Sequence, residues 1–278
     1  MAREDAFIIG KGFVGNATMK ALDIQYYFDI KESNITLEEG SKKLYCFICL
    51  PTATEANGGQ EKALKVIDDY VKQMKEYGNR NIFIIRSTVV PGTCKMLSQK
   101  YDVMVASNPE TLSEKTWEED AVNPRTIIIG ADDVPTRNAL VNIWKPRIKL
   151  NEKGTKIAMN KGFASHHGRQ GLIVTDTVTA ETLKYAFNTF FITKIVYANQ
   201  MYDICEINGA NYRIIRQALH QHPWGSKHHF RIIHKGGRGG GGHCFPKDIK
   251  LFAKYSNLPF FQKVEELNNE YLTKSKKE

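Results

Sequence analysis

The residues with the most chemical potential in this sequence lie in Gly239-Gly240-Gly241-Gly242-His243-Cys244-Phe245-Pro246-Lys247-Asp248. Proline is favoured in the first turn of a helix, so Pro246 predicts that Cys244 sits at a helix N-terminus. The helix dipole shifts such a thiol toward thiolate, and Lys247 would add to the shift. The preceding glycines let a ligand approach the backbone closely. Two readings of the local pattern stay open: an activated nucleophile, or an incidental cysteine in a glycine-rich loop. A second set is Lys184 and Asn188, whose i, i+4 spacing puts both on one helix face. Leu183, Phe187, Phe190 and Phe191 mark that helix as largely buried. A lysine there either snorkels to water or, with an amide one turn on, clamps an oxyanion. A third set is Asn108-Pro109-Glu110-Thr111-Leu112-Ser113-Glu114, which follows an apolar strand. Loops at such strand ends carry function in α/β proteins, although unattached acids also belong on surfaces. The fourth is Gly10-Lys11-Gly12-Phe13-Val14-Gly15, a G-x-G-x-x-G run after a strand, with Asp29 19 residues beyond Gly10. That is the dinucleotide fingerprint: a tight turn, close approach of a pyrophosphate to a helix N-terminus, and an acid for the ribose hydroxyls. A carboxylate at Asp29 repels a 2′-phosphate, which favours NAD over NADP.

The elements that must position these residues alternate. Apolar runs predict strands at Ala6–Ile9, Tyr26–Asp29, Leu44–Leu50, Asn81–Arg86, Val103–Ser107 and Thr126–Gly130. Helical patterns cover Val14–Leu22 and residues 60–77, where Leu64, Ile67, Val71 and Met74 share one face. Strands alternating with helices imply βαβ units and a Rossmann-type, doubly wound parallel sheet. The second half is predicted to be mostly helical, with helices at Thr179–Asn208, 211–220, 246–256 and 260–276. The expected division is therefore a nucleotide-binding α/β domain over 1–177 and an all-α domain over 178–278. Asn151–Gly171 reads as an irregular loop or hairpin inserted near the joint.

Composition narrows the function classes. The chain has 278 residues, 42% hydrophobic and 10% aromatic, which suits a packed core rather than disorder. No apolar run approaches the roughly 18–20 residues that span a bilayer, and the acidic N-terminus does not read as a secretory signal. Lys and Arg exceed Asp and Glu by 39 to 30, a formal net charge of +9, but they are scattered rather than striped, so nucleic acid is not expected. Cys46, Cys49, Cys94, Cys205 and Cys244 are odd in number and widely spaced, which points to a reducing, cytoplasmic setting. Cys46-x-x-Cys49 lies in an apolar strand and no further pair stands at zinc spacing, so core packing is expected and no metal.

In sequence order, Gly10–Gly15, Cys49-Leu-Pro51-Thr52, Ser87-Thr88-Val-Val-Pro-Gly-Thr93, Ser107-Asn-Pro-Glu110, Pro124-Arg-Thr-Ile-Ile-Ile-Gly130, Ala180-Glu-Thr-Leu-Lys184-Tyr-Ala-Phe-Asn188 and Gly241-Gly242-His-Cys244-Phe-Pro-Lys-Asp248 follow one another. In these motifs the chain resembles the UDP-glucose/GDP-mannose dehydrogenase family, and its Cys-Phe-Pro-Lys-Asp form is most similar to the UDP-glucose branch. The resemblance implies oxidation of a sugar C6 alcohol to a carboxylate, with two NAD molecules used in turn and Cys244 carrying thiohemiacetal and thioester. It further implies Lys184 and Asn188 as oxyanion donors, Asp248 and Thr88 as holders of a water, and Glu110 and Glu114 as acids assisting hydrolysis. Gly10, Gly12, Phe13, Val14, Gly15, Asp29, Lys31, Pro51, Thr52, Ser87, Thr88, Glu114 and Lys247 would contact NAD. Glu110, Leu112, Lys184, Asn188, Gly241, Gly242 and Cys244 would contact the nucleotide sugar, UDP-glucose first among candidates. The helical domain would make a homodimer. The alternatives are another activated sugar, a UDP-N-acetylhexosamine or GDP-mannose, or a non-catalytic NAD-binding remnant.

The resemblance has departures. Thr111 and Ser113 replace an aromatic and an arginine of the family pattern. The family's Arg-Ile-Gly segment has no clean counterpart in His222–Phe230, with Lys227 and Arg231 as the candidate substitutes. The insertion at 151–171 is a candidate lid or a solvated loop. Family members continue into a third, uridine-binding domain, which is expected to be missing from this chain.

Overall fold

The computed structural model describes residues 4–52, 59–78, 81–113, 115–147, 158–159, 171–225, 228–234 and 236–274. The chain divides into two compact units, Met1–Lys184 and Tyr185–Glu278.

Unit 1 alternates β1 (Ala6–Ile9), α1 (Phe13–Leu22), β2 (Tyr26–Phe28), α2 (Leu37–Ser41), β3 (Tyr45–Ile48), α3 (Gly59–Tyr77), β4 (Ile82–Ile85), α4 (Thr93–Tyr101), β5 (Met104–Ser107), α5 (Trp117–Val122), β6 (Thr126–Ala131), α6 (Val134–Trp144), β7 (Ala158–Met159) and β8 (Gly171–Thr175). They form one eight-stranded sheet in the order β2-β1-β3-β4-β5-β6-β8-β7. Side chains alternate between the two faces of a strand, so β1 and β4 are apolar at every position because both faces are covered. Ala6, Ile8, Phe47, Ile82 and Ile84 pack with Ala17 and Ala21 of α1 and Leu140, Ile143 and Trp144 of α6. Phe7, Ile9, Ile48, Phe83 and Ile85 pack with Ile67, Val71 and Met74 of α3 and Leu97 of α4. The same alternation separates the two cysteines of the Cys-x-x-Cys run: Cys46 joins the second cluster and Cys49 the first.

The sheet departs from the all-parallel expectation at one step. β5 and β6 are antiparallel, with Ala106 opposite Ala131, while the other pairs are parallel. A strand buried on both faces reads the same in either direction, so the apolar run of β6 carries no information about its sense. The periodicity reading misses α2, α4, α5 and α6; of these, α2 and α5, with 5 and 6 residues, complete fewer than two turns and cannot show a helical period. Side-chain caps start two of the four, through the Thr36/Glu39 capping box of α2 and the Asp133 cap of α6. Within the expected irregular insertion, Ala158–Met159 pairs with β8 as a strand and Gly171 already belongs to β8. The rest of 151–171 lies outside the described residues.

The helix α7 (Thr177–Asn208) begins two residues before its expected start. Asp176 sets that start by accepting from the Thr179 N–H and hydroxyl at 2.8 and 2.7 Å. Unit 2 comprises α7 from Tyr185, α8 (Tyr212–Gln221), the hairpin β9 (Ile233–His234) and β10 (Gly237–Arg238), α9 (Phe245–Ser256) and α10 (Pro259–Lys274). Its core has two parts: Ile192, Val196, Ile249 and Val264, and then Ala198, Cys205, Tyr212 and Phe230. Among the described residues no helix is long and apolar enough to cross a membrane.

Candidate active site

The turn between β1 and α1 is shaped by three glycines with different reasons for being glycine. Gly10 has φ +93°, donates to Phe28 O at 2.9 Å, and would place a Cβ 2.9 Å from Cys49 O. At Gly15 a Cβ would fall 2.0 Å from Gly10 O, so only glycine lets α1 leave the turn at this angle. Gly12, the N-cap of α1, has nothing within 4 Å of the Cβ position. It offers no side-chain cap, and no acid occupies the first turn of α1. The helix end therefore presents its partial positive charge and unsatisfied N–H groups to an open space, which fits the pyrophosphate of a dinucleotide. Asp29 completes the turn. Its Oδ2 accepts from the Lys11 N–H at 2.8 Å and its Oδ1 from the Lys31 N–H at 3.0 Å. A half-buried carboxylate with one bond on each oxygen keeps lone pairs for ribose hydroxyls. Phe13 is exposed and meets Trp117 edge-on at 5.7 Å, while Val14 is half-buried.

The loops after β3, β4 and β5 carry the next set. The Ser87 hydroxyl donates to Leu50 O at 2.7 Å, tying the end of β4 to the turn that carries Pro51 and Thr52. Thr88 follows, half-buried. Glu181 of α7 is buried and accepts from the Gly92 and Cys94 N–H groups at 2.6 and 2.8 Å. It thereby caps α4, whose own N-cap is a glycine. Burial pushes the Glu181 carboxyl up in spite of these bonds. After β5, Lys184 Nζ donates to Glu110 O at 2.9 Å and Glu110 Oε1 at 2.7 Å, and the Leu112 N–H donates to Glu110 Oε2 at 2.7 Å. Burial by itself would raise the Glu110 carboxyl, but the ammonium of Lys184, the Leu112 N–H and the guanidinium of Arg86 hold it below the ordinary carboxylate range. Lys184 is therefore no snorkelling side chain. It is 6% exposed and engaged with a carboxylate.

Sequence reasoning missed the group behind Glu110. Arg86, 6% exposed, donates to the Asn108 side chain at 2.5 Å. Trp144 Nε1 donates to the same Oδ1 at 2.9 Å, and Asn108 Nδ2 donates to Ile128 O at 2.6 Å. These bonds fix the residue two before Glu110 to the residue two before Thr88. The available signal was an arginine closing an apolar strand run, a charge that burial makes expensive without partners.

In unit 2, Cys244 is the N-cap of α9 and Pro246 lies in its first turn, as the Cys-Phe-Pro pattern predicts. Asp248 is 1% exposed and its N–H donates to Cys244 O at 2.9 Å. Asn188 Nδ2 donates to Asp248 Oδ2 at 2.5 Å, and Lys247 Nζ pairs with Asp248 Oδ1. Gly241 is half-buried and Gly242 exposed, with φ +88°. Cys244 is the one cysteine of the five that is not buried. Burial pushes the Cys46 and Cys94 thiols up, and Cys49 up to about 11. Cys46 and Cys49 are core residues, and among the described residues no group of His, Cys, Asp and Glu could hold a metal ion. Glu114 and Lys227 lie outside the described residues; Arg231 is exposed.

The candidate residues thus come together as Lys184 with Glu110 and Leu112 in unit 1, and as Asn188 with Asp248 and Lys247 in unit 2. Residues 29–148 match the NAD binding domain model of the UDP-glucose/GDP-mannose dehydrogenase family, and residues 178–270 match that family's central domain. The chain is 32% identical over 226 residues to UDP-glucose 6-dehydrogenase of Rickettsia felis, covering 79% of this chain and 45% of that protein. It is 34% identical over 209 residues to the enzyme of Rickettsia typhi, covering 73% of this chain and 43% of that protein. The chain therefore spans less than half the length of these curated relatives. A solved UDP-glucose dehydrogenase from Pyrobaculum islandicum superposes with a TM-score of 0.76 at 22% identity, covering 95% of this chain and 68% of that one, which establishes likeness of fold.

Proposed function

This chain belongs to the UDP-glucose/GDP-mannose dehydrogenase family and carries its NAD-binding domain, and on that premise we propose that it oxidises the C6 alcohol of UDP-glucose to the carboxylate of UDP-glucuronate. The observation that carries the reading is the setting of Cys244. It is a partly exposed thiol at the first turn of α9, with buried Asp248 one turn on and bonded to Asn188. Gly10, Gly12, Phe13, Val14, Gly15 and Asp29 would hold NAD, with Lys31, Pro51, Thr52, Ser87, Thr88, Glu114 and Lys247 as further contacts. NAD, when bound, supplies the hydride acceptor for both oxidations.

The chain's own residues do the rest. Cys244 Sγ, as thiolate, adds to the aldehyde carbon and keeps it covalently bound as a thiohemiacetal between the two oxidations. The oxygen that gains charge in this addition takes hydrogen bonds from Lys184 and Asn188. Asp248 orients the Asn188 amide and, with Thr88, holds a water that relays the alcohol proton. In the last step water adds to the thioester carbon, the C–S bond breaks, and the sulfur leaves as thiolate. Glu110 and Glu114 serve that hydrolysis, and Leu112, Gly241 and Gly242 line the sugar. The +9 charge suits two anionic ligands. A homodimer through α7 is part of the reading. Phe190, Tyr197 and Ile204 are 58, 48 and 47% exposed at seven-residue spacing on that helix, an apolar stripe of the kind helices bury against one another.

The test is the purified protein with NAD and a panel of nucleotide sugars: UDP-glucose, UDP-N-acetylhexosamines and GDP-mannose. Two NADH per UDP-glucose consumed are expected, and Cys244→Ser abolishes formation of the acid. No turnover with any sugar despite NAD binding overturns the enzyme; the acid forming at a normal rate in Cys244→Ser overturns the thioester route.

A further inference from the structure

The run Gly236–Gly242 has the composition of a flexible linker, yet its middle is fastened to two helices. Asn268 of α10, 0% exposed, accepts from the Gly240 N–H at 2.6 Å and donates to Gly240 O at 3.4 Å. One amide thus satisfies both polar groups of one glycine. The two glycines at this point are seated against side chains. A Cβ on Gly239 would lie 3.1 Å from Tyr271 Cβ, and one on Gly240 would lie 2.8 Å from Ile192 Cγ1. Just upstream, Arg238 is fixed at several points. Its Nε donates to Asn199 Oδ1 at 2.9 Å, and its Nη2 donates to Asp203 Oδ1 at 2.6 Å and to Asn199 O at 3.2 Å. Its guanidinium stands 4.6 Å from the Tyr271 ring centre, and the Tyr271 hydroxyl donates to Asp203 Oδ2 at 2.6 Å. The carboxylate of Asp203 is thereby shared between the arginine of the run and the tyrosine of α10. Beyond Gly240 only Gly241, Gly242 and His243 separate the clamp from Cys244.

We propose that Arg238 and Asn268, backed by Asp203 and Tyr271, are positioning residues that hold the glycine run against α7 and α10 and so fix Cys244 at the first turn of α9. The role given to Cys244 rests on the dehydrogenase reading; the clamp itself is tested without sugar or NAD. With the other four cysteines buried, iodoacetamide labels Cys244 selectively in the native protein, and its pH–rate profile reports the setting of the thiol. Asn268→Leu and Arg238→Met should each move the midpoint of that profile upward, toward an ordinary thiol, by at least about half a pH unit. Hydrogen exchange of the 239–243 amides should rise about tenfold or more while the centre of α10 keeps its protection. Arg238→Lys, which keeps the charge but not the fork, should fall between wild type and Arg238→Met. Where Asn268→Leu does not fold, Tyr271→Phe, which removes one hydroxyl, should give the same shift at smaller size.

Profiles and exchange identical to wild type in Arg238→Met and Tyr271→Phe overturn the clamp, and normal sugar oxidation alongside leaves the dehydrogenase reading standing. Shifted profiles in a protein that oxidises no sugar support the clamp and remove that reading. Exchange that rises equally through all of α10 shows general loosening instead and overturns the positioning role.

Discussion

Two glycine-rich segments of this molecule precede helices, and they are built alike up to one point. The Gly10–Gly15 turn opens α1 and the Gly236–Gly242 run opens α9, and neither helix has a side-chain hydrogen bond from its N-cap. In each, one side chain from far along the chain accepts from a backbone N–H inside the segment: Asp29 from Lys11, and Asn268 from Gly240. The acceptors differ in charge and exposure. Asp29 is half-buried and charged, and its oxygens retain lone pairs. Asn268 is fully buried and neutral, and its amide binds both polar groups of one residue. A carboxylate buried as deeply as Asn268 would lose its hydration, a penalty of several kcal/mol. At Asp29 water offsets that penalty and a ligand can replace the water. The first segment is thus left incomplete for a ligand to finish, while the protein itself finishes the second.

Single methyl groups test this contrast. The largest effect is expected at Gly15. A Cβ there meets the Gly10 carbonyl oxygen at 2.0 Å, a backbone atom that cannot swing aside as the end of a side chain can. Gly15→Ala should lose about 3 kcal/mol or more in urea unfolding; wild-type stability would mean that the turn is not rigid. Gly240→Ala should come next. Its Cβ meets Ile192 Cγ1 at 2.8 Å, the inner part of a side chain that can shift. A loss of about 1–3 kcal/mol is expected, together with faster hydrogen exchange at Gly240. An unperturbed Gly240→Ala would mean that the run is not seated on α7, and the likeness of the two segments would end there.

The two segments also differ in how far the sequence discloses them. The first is legible because its determinants are local: a strand, three glycines at fixed offsets, and an acid at the end of the next strand. The second announces its thiol and its helix start through Cys244 and Pro246, but not its fastening. Asn268 stands in Leu267-Asn-Asn-Glu270, which reads as an ordinary polar helix face. Only the packing of α10 turns it inward. The polar pairs behave in the same way. The spacing of Lys184 and Asn188 predicts a shared face, whereas their partners, Glu110 and Asp248, lie 74 and 60 residues away and follow from tertiary structure. Arg86 is hidden for the opposite reason. A charge at the end of an apolar strand reads as the place where the strand surfaces, and here Asn108 and Trp144 keep it inside. The reversal of β6 is hidden because burial on both faces erases the direction of a strand.

The smallest effect on folding, and the sharpest test of the contrast, belongs to Gly12. Its φ of −77° and ψ of −159° are accessible to any residue, and the space beyond it is open to 4 Å. Nothing in the protein therefore requires glycine there, and Gly12→Ala should change stability by no more than about 0.5 kcal/mol. The requirement comes from what approaches the N-terminus of α1. On the proposed docking of the pyrophosphate at this helix end, a methyl group there stands in its path, so NAD affinity should fall about tenfold or more, close to 1.4 kcal/mol. Calorimetric titration with NAD, beside a melting curve of the same sample, reads both quantities. Stability lost at Gly12 would make it a packing glycine like Gly15, and affinity kept would move the dinucleotide away from this turn. Stability kept with affinity lost is the signature of a glycine present for the ligand alone, which neither Gly15 nor Gly240 can show.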